Sequence, residues 1–338
     1  MARSDSPAII GFLDQELRAT AGFSVRDEYP ALFGDFPGGH SIFVQSGERV
    51  IAHVAILTRV LRHTHFHFKI GLIGSVITAA DYRGHGIAST LMREAVAQLK
   101  NQGCLLAMLW GDNTAFYKPL GFERAGREQC LYFSPDRITP GSFAENVFPF
   151  DPKRHAEGVW RLYLQHDLTV DRSLQEFKRL CRVPHSRLFV TTEGETVTSY
   201  IAINKGLDFP DCIHEWGGRP DSIRANIARV QKLILPDRAL SLIAPAHVDL
   251  GYLKAFTTEC HQGVLGYIRL LDRTRLRAVY LDYLKAVGEK PDLGEEWGGD
   301  GRTVSTKTDG EFLVRVLGNQ LSPAHPVLPL FLWGLDSI

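Results

Sequence analysis

The sequence carries no surplus of charge: 338 residues hold 38 Lys and Arg against 38 Asp and Glu, a formal net charge of zero. A protein built to track a nucleic-acid backbone usually shows a basic excess, so nucleic acid is not an expected partner. Cysteine is sparse as well. The five, Cys104, Cys130, Cys181, Cys212 and Cys260, are widely spaced, odd in number and include no Cys-x-x-Cys pair. That spacing indicates neither a zinc ribbon nor a thioredoxin-type redox site, and it reads as free thiols of a reducing compartment. Long apolar runs are missing too. The longest, near residues 104–110 and 327–332, fall far short of the ~20 residues that span a bilayer. The start, Met1-Ala2-Arg3-Ser4-Asp5-Ser6, lacks the basic-then-apolar order of a secretory signal. The expectation is a soluble, cytoplasmic protein with no membrane role, of ordinary globular composition and with length for two or three domains.

What is present alternates between helix and strand patterns and predicts an α/β chain on mixed sheets. Ile9, Ile10, Leu13 and Leu17 recur at helical spacing within residues 6–18. Strand-like runs at 40–45 and 49–60 flank Ser46-Gly47-Glu48, a hairpin turn, and a third strand runs from 66 to 78. A helix opens at Ile87, shows apolar Ile87, Leu91, Ala95 and Leu99 every fourth residue, and ends at Gly103. Residues 104–110 make a short apolar strand, Asp112 or Asn113 can cap a following helix, Pro119 ends it, and 131–133 read as a closing strand. From Gly141 the composition turns polar and proline-marked, which sets a boundary after residue 145. Residues 146–275 then repeat the order: helices at 156–164 and 173–182, a hairpin at 188–192 and 196–204, a strand at 212–216, a helix at 223–233, a strand at 240–243, a helix near 252–257 and a strand at 265–271. An internal duplication is expected. Residues 276–338 form a small third segment with a helix at 276–286, an acidic glycine-rich turn at 293–301 and two strand-like pieces before an apolar tail.

The most chemical feature of the first half is Arg83-Gly84-His85-Gly86-Ile87-Ala88, between a strand and a helix. Glycines there let the backbone turn tightly, so that several N–H groups converge at the helix N-terminus, where unpaired amides and the helix dipole favour a pyrophosphate. The run resembles the Arg/Gln-x-x-Gly-x-Gly/Ala signature of the GNAT superfamily of N-acetyltransferases. Gly74-Ser75-Val76-Ile77-Thr78 looks like that family's splayed strand, and Phe116-Tyr117-Lys118-Pro119-Leu120-Gly121-Phe122 resembles its Phe-Tyr-x-x-x-Gly-Phe hallmark. The likeness covers roughly residues 6–135. One departure is Ala80, where the family often has proline. This is not a Rossmann fingerprint, because no acidic residue follows to hold a ribose.

The resemblance implies acetyl-coenzyme A as cosubstrate and no metal. It implies that Arg83, Gly84, His85, Gly86, Ile87 and Ala88 meet the pyrophosphate, with Ser89 adding its hydroxyl. Val76 and Thr78 would pair with the pantetheine arm, the N–H groups near Val76 and Ile77 would meet developing charge on oxygen, and Asn113 and Tyr117 would flank the thioester. Tyr117 is the candidate proton donor to the leaving thiolate; its plain alternative is a packed core aromatic. No base is evident, since the strand at 66–78 has no Asp or Glu, and Asp112 reads more readily as a cap. His63, His65 and His67 alternate within 61–68 and would share one face of a strand, as ligands for a metal or as a polar surface.

The second half lacks the glycine signature. Gly217-Gly218-Arg219-Pro220-Asp221 stands in its place, and a proline and an acid do not make an anion site. The arrangement resembles tandem acetyltransferases of the enhanced intracellular survival group, which implies tandem GNAT folds with a degenerate second copy and a small C-terminal segment. Tyr29-Pro30-Ala31-Leu32-Phe33 fits that group as well. Glu215 is expected either to face the acceptor across the domain interface, with Ser75 nearby, or to be a strand-end carboxylate paired with Arg219. In the tandem relatives the terminal carboxylate accepts the amine proton, so Ile338, or Asp336 beside it, is expected near Tyr117 and Ser75; the plain alternative is a last strand completing a sheet. The implied function is acetyl transfer from acetyl-coenzyme A to a primary amine, small molecule or protein, by direct attack in a ternary complex. The competing expectations are a non-catalytic acyl-coenzyme A sensor and an interaction scaffold.

Overall fold

A computed structural model describes residues 6–34, 39–139, 146–289, 308–319 and 326–338. The acidic turn expected at 293–301 lies outside these residues. Arg49–His63 and Phe66–Thr78 are rich in β-branched and apolar side chains and mostly buried, the pattern of central strands. They pair antiparallel as β2 and β3, and β1 (Gly39–Ser46) lies along the outer edge of β2. The turn between β1 and β2 needs a left-handed residue, which Gly47 supplies at φ 61°.

β4 (Leu106–Leu109) runs parallel to β3, so a crossover must join them. Helix Ile87–Asn101 is that crossover and buries Leu91, Met92, Ala95, Val96 and Leu99. It stops in a Schellman turn: Gly103 sits at φ 81°, its N–H bonds the Lys100 carbonyl at 2.9 Å, and the Cys104 N–H bonds Leu99 at 3.1 Å.

A second sheet repeats this plan. β9 (Arg187–Glu193), β10 (Thr196–Lys205) and β11 (Asp208–Gly218) pair antiparallel, and β12 (Leu240–Pro245) joins β11 in parallel after helix Pro220–Ile234. The order β1-β2-β3-β4 thus recurs as β9-β10-β11-β12, which is the duplication the sequence suggested. The structure is of the mixed α/β class, with a tandem arrangement of the two folds.

The closing strands depart from the sequence reading, which left each in its own half. β6 (Glu128–Phe133) lies between β12 and β13 (Glu259–Gly263) in the second sheet, and β14 (Gly266–Leu270) lies between β4 and β5 (Glu123–Ala125) in the first. Each half therefore lends the other a strand, and the two-residue links at 126–127 and 264–265 cross between sheets. Both lent strands are paired on both sides, which removes two open edges. Short strands β7 (Val147–Pro149) and β8 (Leu168–Val170) add to β9 and β2.

Of the two strand-like pieces expected near the C-terminus, the described residues show no strand. Asp309–Leu317 is a helix, opened by a reciprocal capping box between Thr308 and Glu311, and it packs on β5 and β14. Residues 326–333 run without a ladder partner, yet Leu328, Leu330, Phe331, Leu332, Trp333 and Leu335 are all buried. One apolar core joins Leu57 and Met108 of the first sheet, Ile201 and Leu242 of the second, and Phe331 and Trp333 of this tail. Among the described residues no helix is long and apolar enough to cross a membrane.

Two buried histidines and one half-buried histidine in this framework have a ring nitrogen bonded to a backbone oxygen: His53 to Ser75 at 3.0 Å, His214 to Asn204 at 2.9 Å and the half-buried His166 to Trp216 at 2.8 Å. Burial pushes His53 and His166 down to about 4 and His214 to about 3. In the unfolded chain each titrates near ~6.5. As pH falls below that value the unfolded state takes up protons that the folded state refuses, so stability is full above it and drains away toward pH 4. Each of the three contributes on the order of 3 kcal/mol to that loss. Urea unfolding across this range should give a pH slope near pH 5 approaching the uptake of three protons; a flat profile there would contradict neutral histidines.

Candidate active site

The parallel ladder between β3 and β4 ends at Leu72 and Met108. Beyond that pair a cleft of about 440 Å³ opens, walled by Ile73, Gly74, Ser75 and Val76 on one side and by Leu109 and Trp110 on the other. One edge of β3 is therefore without a strand neighbour along the cleft, while its other edge stays paired, with Ile77 against His53 and Thr78 against Ala52.

A bulge aims this edge. The register of β2 and β3 shifts between His53 and Ala55, and Ser75 opposite takes φ 48°, a left-handed conformation rare for a residue with a side chain. His53 fixes it. A carbonyl can only accept, so His53 Nδ1–H donates to the Ser75 oxygen, which leaves Nε2 to accept from the Ser41 hydroxyl at 2.8 Å. One fully buried ring thus ties β1, β2 and β3 together behind the bulge.

Tyr117 stands on the opposite wall at the end of the short helix Thr114–Tyr117. Its ring packs against Phe116 at 5.1 Å and against Tyr267 of the lent strand β14 at 5.2 Å. The Tyr267 hydroxyl bonds Thr114, so β14 braces the helix that carries Tyr117. Burial, with Asp112 and Tyr267 adding to it, raises the Tyr117 pKa above the ordinary phenol value. Its hydroxyl makes no hydrogen bond among the described residues. Asn113, not Asp112, is the cap of this helix: its side-chain oxygen accepts from the Phe116 N–H at 3.1 Å.

Gly84 and Gly86 both adopt left-handed backbone, at φ 82° and 75°, and a Cβ at either would meet nothing within 4 Å. Glycine there serves conformation and access rather than packing. Residues 83–86 are exposed, and the 15-residue helix that follows begins with amides that have no intrahelical partner. Arg83 Nε bonds the Thr78 carbonyl at 3.0 Å and ties the turn to the end of β3.

This combination of bulged strand, splay and glycine turn has counterparts among known proteins. Residues 30–125 match the family model of an acetyltransferase (GNAT) domain. Over 108 residues the chain is 31% identical to an aminoglycoside 2'-N-acetyltransferase of Mycolicibacterium fortuitum, a match covering 30% of this chain and 55% of that protein, about half its length. In fold, the chain is similar to GCN5-related N-acetyltransferases from Anabaena variabilis (TM-score 0.58, 14% identity, 79% of this chain and 70% of that one) and Kribbella flavida (0.53, 17%, 71% and 62%). Residues 30–125 form a GNAT acetyltransferase domain.

Into the cleft of this GNAT domain the rest of the chain sends two elements: the tail, which the sequence pointed to, and a hairpin, which it did not. Ser337 and Ile338 line the cleft, and a Cβ on Gly74 would stand 3.0 Å from the Ile338 backbone carbonyl carbon and 3.1 Å from its oxygen. Ser75, Val76, Tyr117 and Ile338 therefore share one cleft. The tail is anchored in the second sheet, where the corresponding splay of β11 and β12 begins beyond Ile213 and Leu242. Trp333 Nε1 bonds the Leu168 carbonyl at 2.9 Å, Asp336 accepts from Arg172 at 3.1 Å, and Lys205 Nζ donates to Gly334 at 2.9 Å and to the Ser337 carbonyl and hydroxyl. The other element is the β10–β11 hairpin, which contributes Asp208 and Phe209 beside Arg18 and Tyr29.

Glu215 is a correction. It does not reach the cleft and does not pair with Arg219; its side chain is wholly buried, takes both arms of Arg172, and receives the Tyr200 hydroxyl at 3.3 Å. Arg219 pairs with Glu193. The three histidines do not share a strand face either, because β2 ends at His63 and β3 starts at Phe66, with His65 in the turn. Among the described residues no group of three or more His, Cys, Asp or Glu side chains is arranged to hold a metal ion.

The bulge offers a test of its own. Replacing His53 by Leu strands the Ser75 carbonyl and the Ser41 hydroxyl and should cost about 2 kcal/mol or more. It should appear as a lower urea midpoint at an unchanged denaturant slope. An unchanged midpoint would mean the bulge holds without the ring.

Proposed function

We propose that the chain is an acetyl-coenzyme A-dependent N-acetyltransferase acting on a small-molecule amine by direct attack in a ternary complex. The observation that carries this reading is the single cleft shared by Ser75, Val76, Tyr117 and Ile338 beside an open strand edge. The residues present suit the coenzyme. Its pyrophosphate would be held by the amides of Arg83, Gly84, His85, Gly86, Ile87 and Ala88 with the Ser89 hydroxyl, and its pantetheine arm by the free edge of β3 at Val76, Ile77 and Thr78. Asn113 keeps its side-chain amide N–H groups for the same ligand. Acetyl-coenzyme A supplies an acetyl group activated as a thioester.

The chain's own groups then handle protons. Tyr117 holds its proton at neutral pH, because burial raises its pKa, and its unbonded hydroxyl suits donation toward a departing sulfur. Backbone N–H groups of Val76 and Ile77 are suited to receive negative charge on the acetyl oxygen. The attacking amine must be neutral, and the α-carboxylate that Ile338 bears when it is the last residue would take its proton. A cleft of about 440 Å³ suits a small acceptor better than a folded protein. The aminoglycoside named for the Mycolicibacterium relative is that protein's acceptor and supports the amine class here. A passive acyl-coenzyme A sensor would have no use for the free Tyr117 hydroxyl. The five free thiols favour a reducing compartment, and the cytoplasm is the proposed location.

Replacing Tyr117 by Phe should lower kcat by ~10²-fold or more, with the calorimetric affinity for acetyl-coenzyme A kept within about twofold. Thiol release measured across an amine library reads the rate, and unchanged turnover on the best amine would remove Tyr117 from the mechanism. Extending the chain by two residues beyond Ile338 moves the carboxylate away. A loss of ~10²-fold in kcat with retained coenzyme binding is expected, and an extended enzyme with full turnover would leave the tail merely structural.

A further inference from the structure

The acceptor side of the cleft is built by the β10–β11 hairpin, whose backbone is forced. Asn204, Gly206, Phe209 and Asp211 have φ of 59°, 52°, 52° and 54°, values that cost a side-chain-bearing residue energy. Three hydrogen bonds hold this shape, each at 2.7 Å: Gly206 N–H to the Pro184 carbonyl, Asp211 N–H to the Asn204 side chain, and Leu207 N–H to Glu28. A Cβ at Gly206 would overlap the Glu28 carboxylate, so the hairpin is seated on the N-terminal segment as closely as a backbone can be. Its purpose is visible at Asp208. The Tyr29 hydroxyl donates to Asp208 Oδ2 at 2.8 Å and accepts from Arg18 at 3.1 Å.

Asp208 has no ion-pair partner among the described residues. Arg18, which reaches Asp208 only through the Tyr29 hydroxyl, is paired with the buried Glu28. Lys205, the cation nearest in sequence, is turned to Gly334 and Ser337 of the tail. The second carboxylate oxygen, Oδ1, is likewise without a hydrogen bond among the described residues. A fixed carboxylate in the wall of a cleft, with one oxygen unbonded among the described residues and no direct ion pair, is a receptor for an N–H cation.

We propose that Asp208 is the acceptor-selecting residue: it binds a second, protonated nitrogen of the substrate, so that preferred acceptors are amines with two or more ammonium groups. The inference rests on the amine acetyltransferase reading above. The two nitrogens have opposite needs. The reacting one must lose its proton beside Ile338, whereas the one on Asp208 must keep it, and a diamine supplies both.

The experiment compares linear diamines with monoamines of the same chain length, using the full chain and saturating acetyl-coenzyme A. Asp208→Asn keeps an acceptor for the Tyr29 hydroxyl and removes only charge. The ratio of kcat/KM for diamine over monoamine should fall ~10-fold or more, chiefly through KM for the diamine. Tyr29→Phe, which frees Asp208 from its tether, should move the same ratio in the same direction by a smaller factor, and it serves if Asp208→Asn does not fold. An unchanged ratio overturns the proposal. An equal fall for both amine classes with a shifted pH profile also overturns it, since Asp208 would then be a base. If the parent chain acetylates no amine at all, the amine acetyltransferase reading itself fails, which is a distinct result.

Discussion

Arg172 holds two carboxylates in one dry site, and the position of the tail follows from it. Its guanidinium meets Glu215 with both arms, Asp336 with one, and lies 3.6 Å over the Tyr163 ring. All three ionised groups are wholly buried, so desolvation is severe and only close pairing offsets it. Removing Arg172 alone would strand two buried anions, a loss on the order of 3–5 kcal/mol. Asp336 lies two residues before Ile338. Its capture by a residue of the second half therefore fixes what the chain presents beside Gly74 of the first.

This makes sense of a duplication in which only one copy keeps an open cleft. In the second sheet the splay of β11 and β12 holds the chain's own Gly334–Asp336 turn, with Gly334 pressed so closely on His214 that no Cβ would fit. The copy without a glycine signature has become a seat for the tail. Strand exchange binds the copies further, because β14 sets Tyr267 against Tyr117 and Arg269 on the Leu120 carbonyl. Tyr117 and the tail both depend on residues beyond 160, and the cleft is a joint construction of the two halves.

Local features were legible in the sequence. The β1–β2 hairpin at Gly47, the Ile87–Asn101 helix with its Gly103 stop and the glycine turn before it are each set by neighbours within a few residues, and these positions read correctly. The Asp309–Leu317 helix carried its own signal in the Thr308–Glu311 box, which the apolar spacing around it masked. β13 was missed because Glu-Cys-His-Gln-Gly has no apolar alternation, and its pairing is decided by β6, far away in sequence. Glu215 and Asp208 failed for a related reason. Both are acids on one strand, and which one is spent on a cation depends on Arg172, 43 residues from Glu215. No spacing rule reaches that far.

The central claim is that the tail is a packed part of the second sheet's splay and so delivers Ile338 to the first. Hydrogen exchange of the amides of residues 328–338 in the unliganded chain measures this directly. The account predicts protection comparable to that of β2 and β3, since the tail would open only with the core around Trp333 and Arg172. Exchange on the timescale of an unfolded peptide would mean the tail is free in solution, and the second half would then have no part in building the cleft.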